Sequence, residues 1–352
     1  MIIAAMTLDE LSSQTGEWLR DSGPKGEIVM SSRIRLARNL ADVPFPQWAT
    51  EAQRIEAVGR VEKVVKVSAH FKNSLILSMG TLSELDRLFL VERHLISREH
   101  ATEAGSKEVA VSEREIVSLM VNEEDHLRLQ VMQSGFNLSE AWTVAQQLDG
   151  ELEASLPYAF LPEWGYLTAC PTNVGTGMRA SCMLHLPCLV MTKQINRVLH
   201  AITKLGLTAR GLYGEGTEAS GNFFQLSNQV SLGVSEEEIL QELEWLIKQV
   251  IEQEEAARKA LLSQSREALE DRIWRAYGTL KSAHLITSSE TVDLLSLVRL
   301  GVDLGLIPTL DRGVVNRLFI QTQPAHLQKL EGRLLNQAER DARRAKLLRE
   351  SL

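Results

Sequence analysis

Cysteine is scarce: three in 352 residues, Cys170, Cys182 and Cys188. An odd and low number argues against a disulfide framework and for a reducing compartment, so a cytoplasmic location is expected. Their spacing is not a zinc pattern, the eight histidines are scattered, and no H-E-x-x-H occurs, so no protein metal ligand is assigned. A basic excess is also missing. The net charge is -8, which leaves no overall footprint for nucleic acid. No apolar run reaches the length of a membrane span. The opening "MIIAAMTLDELSSQ" turns acidic early and has no basic n-region, so it does not read as a secretory leader. There is no G-x-x-x-x-G-K-[ST] phosphate loop, no internal repeat and no low-complexity linker.

What is present reads as two halves. An apolar content of 44% is that of an ordinary globular chain, and the length suits one large domain or two ordinary ones. Residues 27 to about 233 mix short strand-like and helical runs. "NSLILSMG", "EIVSLMV", "HLRLQVM", "ASCMLHLPCLVM" and "NFFQLSNQVSL" are rich in Val, Leu, Ile and Phe, and several alternate as an antiparallel sheet with one covered face would. "EAQRIEAVGRVEKVVKVSAHF" and "TKQINRVLHAITKLG" have helical periodicity. From Ser235 onward the pattern is almost wholly helical, opening on a Ser cap and an acidic first turn. The expected fold is α+β, an antiparallel sheet flanked by helices over residues 1–254, followed by an all-helical domain over 255–352.

The segment "CPTNVGTGMRAS", residues 170–181, concentrates a cysteine, a proline, two glycines and an arginine. Gly175, Gly177 and Ala180 fit the spacing of a dinucleotide-binding turn. The context does not: a Cys-Pro pair precedes the turn, and no carboxylate stands near Asn196 where the ribose partner belongs. Two readings stay open. The glycines bring backbone N–H groups near an anion or near a reactive Cys170, or Cys170 is an inert cysteine beside a tight turn.

Other segments bear on the choice. "SSRIRLARNL" holds Arg33, Arg35 and Arg38, and in a strand Arg33 and Arg35 point the same way. Two guanidinium groups on one face repel unless an anion sits between them. "NEEDHLRLQ" sets Glu123, Glu124 and Asp125 beside Arg128; Arg179 and Arg210 follow, and Glu215 lies in a glycine-rich loop. Each alone is most simply a solvated surface charge. Together they meet the needs of phosphoryl transfer, with arginines for phosphates and carboxylates for a cationic acceptor. If the acceptor is a guanidinium, two carboxylates would orient it and take its proton as the new bond forms.

"CPTNVGTGMRAS", "NEEDHLR", "SSRIRLARN" and "RGLYGEGTE" together resemble, in order, the motifs of the ATP:guanidino phosphotransferases, the creatine and arginine kinases. The resemblance covers roughly residues 27 to 235. Members that act on small substrates carry a helical domain ahead of the first motif, whereas "SSRIR" stands here at residue 31 with a helical domain after it. That arrangement resembles the family's bacterial protein-arginine kinases. It implies transfer of the ATP γ-phosphoryl group to arginine side chains, marking proteins for proteolysis and regulating a stress repressor. The alternatives are a kinase of a small guanidino compound and a non-catalytic phosphoarginine adaptor.

The resemblance implies site residues position by position. Ser31, Ser32, Arg33, Ile34, Arg35, His94, Arg128, Arg179, Ala180, Ser181, Cys182, Met183, Arg210, Gly211, Leu212, Tyr213, Gly214 and Glu215 would form the ATP site. Glu124 and Glu215 would grip the acceptor, with Cys170 tuning it. Mg²⁺ would be held mainly by ATP oxygens and water. "RDARRA" near the C-terminus implies a phosphoarginine pocket of Arg340, Asp341, Arg344 and Ala345, where Arg340 and Arg344 share a helical face. The implied partners are protein substrates, an activator, a transcriptional repressor, an ATP-dependent protease and a second copy of the chain. Neither a membrane nor direct nucleic-acid contact is expected.

Overall fold

The computed structural model describes residues 7–102, 105–211 and 220–352. Ten strands occur among them: β1 Val29–Arg38, β2 Leu75–Ser78, β3 Glu108–Val111, β4 Val117–Val121, β5 Leu127–Ser134, β6 Phe160–Leu161, β7 Gly165–Tyr166, β8 Met178–His185, β9 Leu207–Gly211 and β10 Phe223–Asn228. Eight of these form one sheet in the order β2-β3-β4-β5-β1-β8-β10-β9, and every pairing is antiparallel. The hairpin β6-β7 stands apart.

Around the sheet lie α1 Leu8–Ser13, α2 Glu51–Val65, α3 Glu84–Glu92, α4 Arg98–Thr102, α5 Leu138–Glu153, α6 Pro187–Met191 and α7 Ile195–Lys204. Side chains alternate along a strand, so one face of β1, β5 and β8 presents Ile34, Leu36, Leu129, Val131, Ala180 and Cys182. All six are buried. They pack under α5 and under α8, Glu236–Gln264, which begins with a Ser235–Glu238 capping box. The opposite face carries polar residues.

"ASCMLHLPCLVM" is not one strand. β8 ends at His185, and Pro187 opens the short helix α6. Proline lacks the N–H that a sheet ladder needs and suits the first turn of a helix. The freed N–H groups of Cys188 and Leu189 donate to the buried carboxylate of Glu254 on α8, at 3.1 and 2.9 Å.

After α8 come α9 Arg266–Ser282, α10 Ser288–Asp303, α11 Arg312–Gln321, α12 Pro324–Glu331 and α13 Gln337–Ser351. The last two are separated at Gly332, which takes the left-handed conformation. This helical unit is held to the sheet unit by buried polar contacts. Arg299 donates to the backbone oxygen of Gly26 at 2.6 Å and contacts His185 at 2.9 Å. Arg312, itself steadied within the helical unit by Asp303 at 3.0 Å, pairs with Asp21 at 2.7 Å. Glu92, the last residue of α3, accepts the N–H groups of Ala325 and His326, each at 2.8 Å, and so caps α12. No helix among the described residues is long and apolar enough to cross a membrane.

Candidate active site

Strand register gathers the arginines. Arg35 on β1 stands opposite Arg179 on β8 and opposite Gln130 on β5, whose same-face neighbour is Arg128. Arg33 lies two residues from Arg35, and Arg210 on β9 faces Gln225 of β10, on the same side. Arg33, Arg35, Arg128, Arg179 and Arg210 therefore project from four strands onto the polar face. Arg38 has the other parity and points away: it is buried, bonds Asp149 at 2.7 Å and lies 3.5 Å from the centre of the Tyr166 ring.

Their electrostatics separate them. Arg128 is neutralised by Glu123, which also accepts from Ser97 Oγ at 2.5 Å. Arg33 and Arg179 have neutral partners: Gln225 Oε1 at 2.7 Å and Ser227 Oγ at 3.1 Å. Burial, then the neighbouring arginines, lower Arg33 to about 9 and push Arg35 well down from its ordinary value. Arg179 is lowered by burial and by Arg210. The Nε atoms of Arg33 and Arg35 are buried with no hydrogen-bond partner among the described residues. Cations crowded in this way, with donors to spare, are matched by a polyanion.

Arg33, Arg35, Arg128 and Arg210 line a cleft of about 1410 Å³ that also takes in His94, Glu123, Glu124 and Gln47. Its far wall is built by the helical unit, through Ser288, Val292, Gln323 and Pro324. Ser31, Ser181, Met183 and His94 line a small recess in its floor with Trp18. His94 has a left-handed φ of 60°, stacks edge-on to Trp18 at 5.3 Å, and is held down to about 4 by burial and Arg33. The imidazole is therefore neutral near pH 7.

Four of the expected nucleotide positions turn the other way. The side chains of Ser32, Ile34, Ala180 and Cys182 belong to the opposite, buried face. Ser32 Oγ donates to Gly135 O and accepts from Asn137 N, both at 2.8 Å. Burial pushes the Cys182 thiol up to about 12. Gly211 ends β9. Leu212, Tyr213, Gly214 and Glu215 lie outside the described residues.

Two turns carry the carboxylate and the cysteine that the sequence assigns to the acceptor. Glu124 lies exposed in the turn between β4 and β5, and its backbone oxygen accepts Gln47 Nε2 at 2.5 Å. Burial and then Asp125 raise its carboxyl. Cys170 is partly exposed, with Sγ 3.0 Å from Thr172 Oγ1. Gly175 and Gly177 have φ of 111° and 63°. A Cβ at Gly175 would come within 2.1 Å of Ser231 O, and one at Gly177 within 2.6 Å of Ala37 O. The glycines thus let this segment press against β1 and residue 231, where no side chain fits. Among the described residues no three of His, Cys, Asp and Glu converge as a metal cage. A Mg²⁺ arriving with ATP would find its ligands in phosphate oxygens and water, which suits that cation.

On α13, Arg344 is 1% exposed. It donates to Thr322 O at 2.8 Å, Ile286 O at 2.9 Å and Asp341 at 2.6 Å. Arg340 donates to Leu335 O at 2.8 Å. Ala345 is buried behind them. Asp341 thus engages Arg344 within the chain.

Several residues around the site carried no local signal. Gln225 and Ser227 are ordinary strand residues until register sets them against Arg33 and Arg179. Trp18 arrives from a short 3-10 helix, Glu17–Leu19, and Gln47 from a turn. The polar members of "QLSN" alternating with Phe and Leu are the one trace that this strand has a polar face.

Comparison with known proteins agrees with this geometry. Residues 56–257 match the ATP:guanido phosphotransferase C-terminal catalytic domain, and residues 266–352 match the protein-arginine kinase McsB C-terminal domain. The chain is 51% identical over 354 residues to the protein-arginine kinase of Symbiobacterium thermophilum, covering 99% of each. It is 51% identical over 337 residues to that of Brevibacillus brevis, covering 95% of this chain and 94% of the relative. Among solved structures, lombricine kinase superposes with a TM-score of 0.59 at 24% identity, over 72% of this chain and 71% of that one. The duplicated taurocyamine kinase of Schistosoma mansoni gives 0.58 at 22% identity, over 76% of this chain and 43% of that one. At these identities the two structures speak to fold alone.

Proposed function

Since the chain belongs to the ATP:guanido phosphotransferase family, we propose that it is a protein-arginine kinase, which moves the γ-phosphoryl group of ATP to arginine side chains of proteins. The observation that carries this reading is the cluster of like-charged, under-partnered arginines on one sheet face, ending beside an exposed carboxylate. Arg33, Arg35, Arg128, Arg179 and Arg210 would hold the phosphate chain and neutralise the charge that spreads over the transferring oxygens. Mg²⁺, bound to the phosphates, would supply further positive charge there.

At the acceptor end Glu124 would receive the target guanidinium as a charge-assisted hydrogen-bond partner. As a guanidinium nitrogen bonds to phosphorus, the bond from phosphorus to the ADP oxygen breaks. The nitrogen's proton passes to the Glu124 carboxylate and then to water. Cys170 would stand beside the acceptor, and Glu215 would complete the grip. We place the catalytic unit in 1–254 and the helical unit in 255–352, with a phosphoarginine pocket around Arg340, Asp341, Arg344 and Ala345. Marking for an ATP-dependent protease, control of a transcriptional repressor, an activator protein, self-association and action in the cytoplasm belong to the same reading.

The test is transfer from γ-labelled ATP with Mg²⁺ to an unfolded arginine-rich protein, with free arginine in parallel. Acid-labile label on protein arginines is expected, and Glu124→Ala should lower transfer by at least about 100-fold while ATP still binds. Label on free arginine alone would refute the reading.

A further inference from the structure

Two buried polar side chains join the turns of the acceptor end. Asn39 follows β1 directly and is 1% exposed; Asp125 follows Glu124 and is 3% exposed. One oxygen of Asp125 accepts both Asn39 Nδ2, at 2.6 Å, and the backbone N–H of Ala169, at 2.7 Å. Asn39 spends its remaining capacity on the same two turns. Its Nδ2 also donates to Leu167 O at 3.1 Å, and its Oδ1 accepts the N–H of His126 at 2.9 Å. Its own carbonyl accepts Ala159 N at 2.7 Å, which extends the link to the start of the β6-β7 hairpin.

The arrangement is costly and specific. Burying a carboxylate is unfavourable, and Asp125 is hydrogen-bonded there by an amide and a backbone N–H rather than by a cation. An apolar pair would pack at lower cost but would leave the N–H groups of Ala169 and His126 unsatisfied. Ala169 precedes Cys170, and Asp125 follows Glu124. The clamp thus reaches both acceptor groups through one peptide unit each.

We propose that Asn39 and Asp125 are positioning residues that lock the Glu124 turn to the Cys170 segment and so set the spacing of the two groups addressing the acceptor guanidinium. This rests on the roles assigned above to Glu124 and Cys170. The arginine face is built on strands and does not depend on the clamp.

The experiment compares wild type, Asn39→Ala and Asp125→Asn as full chains. Asn39→Ala should lower kcat/KM for the protein acceptor about 100-fold, the loss typical of misplacement by an ångström, with KM for ATP changed less than about twofold. The rate at which iodoacetamide alkylates Cys170 should change with it, since Cys182 and Cys188 are buried and silent. Asp125→Asn keeps an oxygen able to accept both donors and should recover most of the activity. Equal losses for both substrates with unaltered alkylation would reduce Asn39 to a structural residue and overturn the proposal. If Asn39→Ala does not fold, hydrogen exchange of the Ala169 amide in wild type decides: strong protection supports the clamp, and loop-like exchange overturns it. Normal transfer by Glu124→Ala would instead remove the underlying reading, whereas an inactive Glu124→Ala beside a fully active Asn39→Ala removes the clamp alone.

Discussion

Arg35 shows how a single buried charge can weigh against stability. Its guanidinium is pressed among Arg33, Arg128 and Arg179, with Glu123 as the nearby counter-charge. Arg35→Met keeps the stem and removes the charge. In the absence of nucleotide this variant should unfold at higher urea than wild type, by about 1 kcal/mol. It should also lose the thermal shift that Mg-ATP produces in wild type. A destabilised variant that still responds to ATP would contradict the repulsion argument. Arg344 behaves in the opposite sense. Its bonds to Thr322, Ile286 and Asp341 are internal, so Arg344→Ala should cost about 3 kcal/mol in urea unfolding. A test of phosphoarginine binding is therefore cleaner at Arg340, which donates to the Leu335 carbonyl.

The segment from Cys170 to β8 depends on backbone shape more than on side chains. Gly177→Ala would force φ of 63° on a residue with a Cβ, placed 2.5 Å from Arg38 Nη1 and 2.6 Å from Ala37 O. The expected loss is about 2 kcal/mol in urea unfolding. Activity toward protein should fall further than stability explains, because Gly177 O is the acceptor of Ala37 N at the edge of the arginine face. Gly206→Ala is the control. It too has positive φ, of 82°, but its Cβ would meet open space. A similar loss of activity at both sites would show backbone strain alone to be responsible.

Between the two units, the end of α3 and the two residues after it touch both the cleft and the helices. Glu92 caps α12, Arg93 bonds Glu115 and contacts His326 at 3.1 Å, and His94 sits beside Arg33. Burial raises Glu92 from 4.5 to about 7, against the lowering effects of the Ala325 and His326 N–H groups and of Arg344. The folded chain therefore holds a proton there that the unfolded chain has released. That contribution to stability is complete below pH 4.5 and is lost as pH rises through about 7. Glu92→Gln is uncharged at every pH and should not share the decline. The difference in melting temperature, variant minus wild type, should grow from pH 4.5 to above 7; parallel curves would show that Glu92 does not titrate in this window.

The sequence alone determined the α+β class, the helical C-terminal half and the shared direction of Arg33 and Arg35, because periodicity and strand parity are local properties. It also carried the motifs of the family, since "SSRIRLARN", "NEEDHLR" and "CPTNVGTGMRAS" are short continuous runs. The sheet order was decided only by tertiary packing: no local pattern sets β1 between β5 and β8, and that placement turns scattered arginines into one cluster. The end of β8 at Pro187, the internal commitment of Arg344, and the meeting of Asn39, Asp125 and Ala169 were decided in the same way. Each joins residues far apart in the chain, and a buried polar group shows its purpose only when its partner is in place.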